Sequence, residues 1–153
     1  MLEIALFEPD IAQNTGTILR LGACFGVRVN IIEPCGFIFG GKEMKRATMD
    51  YLHLVDYKLH NNWEYFLQYC NEKNKKIVLS TTKTTNIYYN YNFSKNSCIL
   101  FGKESAGVPL FVHQNLNVDK ITIPMNSLAR SLNLAVSCGI IVAESLRQLT
   151  KAL

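Results

Sequence analysis

Arg20 sits among apolar and small neighbours, Leu19, Leu21, Gly22 and Ala23, in a stretch that also carries Gln13 and Thr17. Residues 13, 17 and 20 fall at i, i+4 and i+7, so a helix over 11–25 sets one polar stripe opposite the apolar stripe Ile18, Leu21 and Phe25. A guanidinium presents a planar fork of donors that matches phosphate or carboxylate. The same stripe also suits an amphipathic helix with one solvated arginine.

A second cluster, Gly102-Lys103-Glu104-Ser105-Ala106-Gly107, follows the apolar run Ile99-Leu100-Phe101. Gly102 would let a ligand approach the backbone closely, although an ordinary strand-to-helix turn uses the same residues. The pattern is neither G-x-G-x-x-G nor a Walker loop, so it gives no support to a dinucleotide or nucleoside triphosphate site. The third cluster runs from Ile121-Thr122-Ile123-Pro124-Met125 through a polar loop to Arg130-Ser131-Leu132-Asn133-Leu134. Ser131 reads as the N-cap of the helix that follows. Capping leaves Asn133 unexplained, a polar residue in a segment apolar on almost every side.

The elements that must position these residues follow from periodicity. Leu2 to Glu8 reads as a strand ending at Pro9-Asp10, and residues 11–25 as a helix with Asn14 as candidate N-cap and Gly26 as its stop. Val27 to Ile32 is a second strand, closed by the turn Glu33-Pro34-Cys35-Gly36, and a basic helix covers about Lys42 to Thr48. A strand is predicted at Leu52 to Tyr57, a helix at Trp63 to Asn71 and a strand at Ile77 to Ser80. Residues 81–96 read as a loop, with strands at Ser97 to Phe101 and Lys120 to Ile123 and a last helix from Leu132 to Leu149. This alternation implies a single α/β domain over residues 1–153, a mostly parallel sheet with helices on both faces. Ligands in such sheets bind at the carboxyl ends of strands, here after Ser80, Phe101 and Ile123.

Taken in order, the three clusters resemble the three motifs of the SpoU/TrmH-like branch of the SPOUT RNA methyltransferases, over nearly the whole chain. The resemblance is closest to the small enzymes that methylate the 2′-hydroxyl of the tRNA wobble nucleotide. It rests on Leu6-Phe7-Glu8-Pro9 with Asn14-Thr15-Gly16 and Arg20, on Ile31 to Phe37, and on Lys45-Arg46-Ala47 with Asp50-Tyr51. Residues 130–134, Glu144 and Leu146-Arg147-Gln148-Leu149 complete it. Val136 and Ala143 replace an Asn and a Tyr usual in the wobble-nucleotide enzymes.

What the resemblance implies is an S-adenosylmethionine-dependent 2′-O-methyltransferase with a C-terminal trefoil knot and no metal. It assigns cofactor contacts to Ser80, Thr81, Gly102, Ile123, Met125, Ser131 and Leu132, and catalytic or positioning roles to Arg20, Asn14, Glu104, Ser131 and Asn133. It also implies a homodimer joined through the first and last helices, with each active site built from both chains. The implied substrate is the anticodon stem-loop of tRNA, modified at the wobble cytidine or uridine. Another tRNA or rRNA nucleotide, or RNA binding without catalysis, are the alternatives. A non-catalytic relative would be expected to lose Arg20, Glu104 or Asn133, and all three are present.

Composition agrees with such an assignment. With 153 residues, 48% hydrophobic and 18% charged, the chain can bury one core and is not disordered. A net charge of +4 permits a nucleic-acid partner, and Lys42, Lys45 and Arg46 at i, i+3, i+4 share one helical face. That face reads either as an RNA-phosphate patch or as a solvated basic surface. Tyr88, Tyr89 and Tyr91 suit base stacking or packing equally. Five cysteines without a C-x-x-C pair predict reduced core residues rather than disulfides or zinc, and the three histidines lie far apart. The apolar stretch Leu132 to Ala143 is too short and too interrupted to span a bilayer, and the N-terminus lacks a secretory pattern, so a cytoplasmic protein with no membrane or DNA partner is expected. A nicotinamide-type oxidoreductase is disfavoured because Pro9-Asp10-Ile11-Ala12 replaces the glycine-rich turn.

Overall fold

The apolar runs form strands whose two faces are both covered. A computed structural model describes residues 1–151, so Ala152 and Leu153 of the expected unit lie outside the described residues. Its strands are β1 (Glu3–Phe7), β2 (Arg28–Ile32), β3 (Tyr57–His60), β4 (Lys76–Ser80), β5 (Ser97–Phe101) and β6 (Val118–Ile121). They pair in the order β3-β2-β1-β5-β4-β6, every pairing parallel. Every residue of β1 and β5 is buried. Alternate residues feed opposite layers, because successive side chains of a strand point to opposite faces.

On one face Ile4, Leu6, Val29, Ile31 and Ile99 meet α1 (Ala12–Phe25), α2 (Lys42–Thr48) and α5 (Leu134–Lys151), through Ile18, Leu19, Met44, Cys138, Ile141 and Val142. On the other, Ala5, Phe7, Ile32 and Leu100 meet α3 (Trp63–Glu72) and α4 (Leu110–His113), through Trp63, Phe66, Tyr69, Cys70 and Val112. Fully burying a side chain such as Phe66 contributes about 1.5–3 kcal/mol.

Several expectations shift. The strand predicted at residues 52–57 lies at Tyr57–His60 instead, and Met49–His53 forms a 3-10 turn. This strand is the sheet edge, so pairing with β2 sets its position while Tyr57, Lys58 and Leu59 stay exposed. Val55, which supplied part of the apolar pattern, packs beside Gly22 of α1. Asn14 is not the cap of α1, whose N-cap is Ile11, but Gly26 stops the helix in the left-handed conformation at φ 63. Phe25, expected inward, is 48% exposed. Cys24 is exposed and Cys35 half-buried, so only Cys70, Cys98 and Cys138 are core cysteines; all five are free thiols. The loop at 81–96 includes a short 3-10 turn at Tyr88–Asn90, and Tyr88 and Tyr91 pack against the core while Tyr89 is half exposed.

Beneath α3 the sheet carries a buried polar network. Glu3 pairs with Lys75 at 2.7 Å, both side chains 6% exposed, and accepts hydrogen bonds from Asn30 and from the Tyr69 hydroxyl. His60 Nε2 lies 2.9 Å from Asn30 Oδ1. Burial, reinforced by Lys58, lowers the His60 imidazole to about 4. A histidine held neutral in the fold but protonated near 6.5 in the unfolded chain contributes stability that is intact above pH 6.5 and lost as pH falls towards 4. The loss should reach about 3 kcal/mol near pH 4. Thermal melting from pH 7.5 to 4.5 is expected to fall less steeply in His60→Gln than in the parent, and identical slopes would refute the role of His60.

Candidate active site

The strand order reverses between β1 and β5, since the chain runs outward from β1 through β2 to β3 and then continues on the other side. The carboxyl ends of β1, β4, β5 and β6 meet the chain leading into α5 there, and they enclose a cleft of about 550 Å³. Asn14, Ser80, Thr81, Gly102, Glu104, Ile123, Met125, Ser131, Leu132 and Asn133 all line it. Each of these was a candidate from sequence, drawn from four separate stretches of chain. Arg20, Lys42, Lys45 and Arg46 do not line it.

Glu104 is the hub. Its Oε2 accepts from the Asp10 backbone N–H at 2.8 Å and its Oε1 from Asn14 Nδ2 at 3.0 Å. Asn14 Oδ1 in turn accepts from Asn133 Nδ2 at 2.9 Å. Asn133 Oδ1 accepts the backbone N–H groups of Ala135 and Val136, at 2.9 and 3.2 Å. Asn133, not Ser131, therefore caps α5 with its oxygen and reaches α1 with its nitrogen. Ser131 is exposed at the cleft rim.

Two contacts beside the hub carry no signal in the sequence beyond residue type. Lys103 Nζ pairs with Glu8 Oε2 at 2.9 Å, which raises the lysine, and Ser105 donates from both Oγ and N–H to Asp10 Oδ2, which holds the Asp10 carboxyl below the usual range. Together they fasten the loop after β5 to the chain after β1. Gly102 serves that loop differently from the expectation. A Cβ there would lie 2.5 Å from the carbonyl carbon of Gly107, so the glycine makes room for its own loop rather than for a ligand. Gly107 itself adopts φ 69 and exchanges backbone hydrogen bonds with Lys103.

His113 of α4 and Lys83 also line the cleft, and neither stood out in the sequence. Burial, with Lys83 and Lys120 nearby, lowers the His113 imidazole. Among the described residues no three His, Cys, Asp or Glu side chains gather into a group that could hold a metal ion.

Arg20 is exposed on α1, as are Gln13 and Thr17 of the same polar stripe. Its guanidinium stands over the Tyr51 ring, 5.0 Å from the centroid, with Nη1 3.2 Å from Met49 Sδ. Lys42, Lys45 and Arg46 are exposed on α2, which packs against α1.

A model of the SpoU rRNA Methylase family matches residues 1–143. The chain belongs to this family. One relative, a tRNA (cytidine(34)-2'-O)-methyltransferase of Ancylobacter novellus, is 41% identical over 96% of this chain and 92% of its own. Another of the same name, from Escherichia coli K12, is 37% identical over 97% of this chain and 94% of its own. Among solved structures, one described under 2-OH methylation of C/U34 on tRNA superposes with a TM-score of 0.93 at 34% identity, covering 99% of this chain and 97% of that one. An AdoMet-bound rRNA methyltransferase from Sinorhizobium meliloti superposes at 0.88 with 26% identity, over 97% of this chain and 56% of its own.

Proposed function

We propose that the protein transfers a methyl group from S-adenosylmethionine to the ribose 2′-hydroxyl of the wobble cytidine or uridine of tRNA. The observation that carries this reading is the Glu104-Asn14-Asn133 network, which joins all three motif segments at one cleft of a SpoU-family fold. The near-full-length likeness to relatives named for cytidine 34 supports the choice of nucleotide.

The cleft fits the cofactor. Its volume is within the roughly 300–1,000 Å³ of small-molecule sites, and it combines strand-end backbone at Ser80, Thr81 and Gly102 with the apolar side chains Ile123, Met125 and Leu132. Leu132 is 40% exposed there, an apolar surface suited to a purine face. When bound, S-adenosylmethionine supplies an electrophilic methyl group on a sulfonium sulfur. Ser80, Thr81, Gly102, Ile123, Met125 and Leu132 would hold the cofactor, and the methyl group it supplies would pass to O2′ in exchange for the hydroxyl proton as the carbon–sulfur bond is given up.

The chain's own residues bind and orient. Glu104, fixed by Asp10 and Asn14, holds the cleft open at the strand ends, and Asn133 sets the start of α5 against it. Arg20 binds the phosphate beside the target ribose and orients the hydroxyl. A guanidinium carries N–H donors and no acceptor, so the phosphate or another acceptor takes the proton. Lys42, Lys45 and Arg46 extend the basic surface along the anticodon stem-loop.

The same reading makes the protein a homodimer. Phe25 on α1, Leu132 just before α5 and Val136 in its first turn are 48%, 40% and 51% exposed, and Ala143 continues the α5 stripe. Arg20 lies outside the cleft of its own chain, which supports a site completed by the other protomer. Ile141 of α5 is fully buried in this chain's own core, so it is not part of that exposed surface. A trefoil knot in the C-terminal half, one domain over residues 1–153 and a cytoplasmic location belong to the same reading. No helix among the described residues is long and apolar enough to cross a membrane.

Calorimetry with S-adenosylhomocysteine and mass mapping of 2′-O-methylnucleosides in tRNA from cells with and without the gene test the proposal. Micromolar binding, about −8 kcal/mol, and loss of the methyl group at position 34 are expected. Methylation lost elsewhere would move the target nucleotide, and an absence of binding would remove the cofactor from the account.

A further inference from the structure

The Arg20 guanidinium is held in an unusual way for an exposed arginine. None of the ion pairs among the described residues involves it. Its neighbours are the face of Tyr51, 5.0 Å from the guanidinium carbon, and the thioether of Met49, 3.2 Å from Nη1. A ring face attracts a cation without accepting its N–H groups in the plane, and a thioether is a weak acceptor. A carboxylate in the same place would fix the side chain equally well but would neutralise it and occupy the fork.

The backbone is arranged to put Tyr51 there. Gly16 and Arg20 are one helical turn apart on α1, and a Cβ on Gly16 would fall 2.5 Å from Ala47 Cβ and 2.8 Å from the Met44 carbonyl oxygen. The missing side chain lets α2 close directly on α1. Four residues beyond Ala47 comes Tyr51, four beyond Gly16 comes Arg20, and the two meet. Between them Met49 adopts φ 51 and ψ -135, a positive-φ conformation that a non-glycine residue keeps only where its surroundings enforce it. That turn ends α2 and carries residues 49–51 back over α1.

We propose that Tyr51, assisted by Met49, is a positioning residue for methyl transfer: it holds the Arg20 guanidinium on its ring face, with one Nη1–H on the weak Met49 acceptor and the other N–H donors directed to the ribose and phosphate of the RNA. This rests on the assignment of Arg20 to the reaction. Tyr51 touches Arg20 and not the reacting atoms, so its removal acts on the turnover rate rather than on cofactor affinity.

The test compares Tyr51→Leu, Tyr51→Phe and Arg20→Ala in steady-state methylation of tRNA. Tyr51→Leu is expected to lower kcat about tenfold or more with KM for tRNA and cofactor affinity within about twofold, and Tyr51→Phe to recover kcat to within about threefold of the parent. Nitrogen-15 NMR supplies a reading independent of activity and of how well Tyr51→Leu folds: the Arg20 Nε–H signal should carry a ring-current shift in the parent and in Tyr51→Phe. Parent-like kcat in Tyr51→Leu, equal losses in the Phe and Leu variants, or an unshifted Arg20 signal in the parent would overturn the proposal. Full activity in Arg20→Ala would instead overturn the assignment of Arg20, a separate result.

Discussion

Arg20→Ala is expected to lose methyl transfer by about 100–1,000-fold, the range seen when one preorganised donor is removed from a reacting centre. Cofactor binding should be unchanged, because Arg20 does not line the cleft that Glu104, Asn133 and Leu132 line. Arg20→Lys should fail nearly as badly. A lysine ammonium is a point charge on a flexible stem, and it neither stacks flat on the Tyr51 ring nor grips a phosphate through two parallel bonds. Single-turnover methylation at saturating cofactor and RNA, beside calorimetry with S-adenosylhomocysteine, separates these effects. A variant that binds the cofactor and turns over like the parent would end the role given to Arg20.

The second large effect is expected from Val136→Arg. Val136 is 51% exposed in the chain, so the arginine does not disturb that chain's own core and the protomer should fold. Across a two-fold interface it meets the opposing apolar stripe, and a buried unpaired charge costs about 3–5 kcal/mol. Light scattering should report monomer, and methylation should fall with it. A mixing experiment makes the shared site explicit. Arg20→Ala and Glu104→Ala proteins are each expected to be inactive, and exchanging their subunits should restore about a quarter of parental activity, since half of the dimers would be mixed and each would carry one complete site. A fully active monomer, or no recovery on mixing, would refute the shared site.

How much of this was legible in the sequence depends on what each residue answers to. Leu2–Glu8 was readable as a strand from its alternation and Val27–Ile32 from its β-branched residues and closing turn, while Ser97–Phe101 shows the apolar run that burial on both faces demands. β3 was not, since an edge strand with three exposed residues is defined by its hydrogen bonds to β2, and the apolar Leu52 and Val55 beside it imitated the pattern. The strand order, with β5 between β1 and β4, has no local signature at all. The cleft residues were found because resemblance marked their positions, and the fold then brought ten of them to one place. Their bonding was hidden. Ser131 and Asn133 are both good caps, and only the geometry shows which one turns towards the helix. Ile141 and Val136 are similar in type, and only the packing shows that the first is core and the second surface.

Asn133 restricts which mutations the chain could accumulate. Its oxygen starts α5 and its nitrogen reaches Asn14, so the position needs an acceptor and a donor on one short side chain. Serine offers one oxygen too close to the backbone to reach both, glutamine spans the distance but caps poorly, and aspartate starts the helix while turning a negative charge towards the oxygen of Asn14 and the carboxylate of Glu104. Drift at residue 133 therefore has no intermediate that preserves both jobs. A change at residue 133 gives up either the start of α5 or a tie that spans 119 positions of chain.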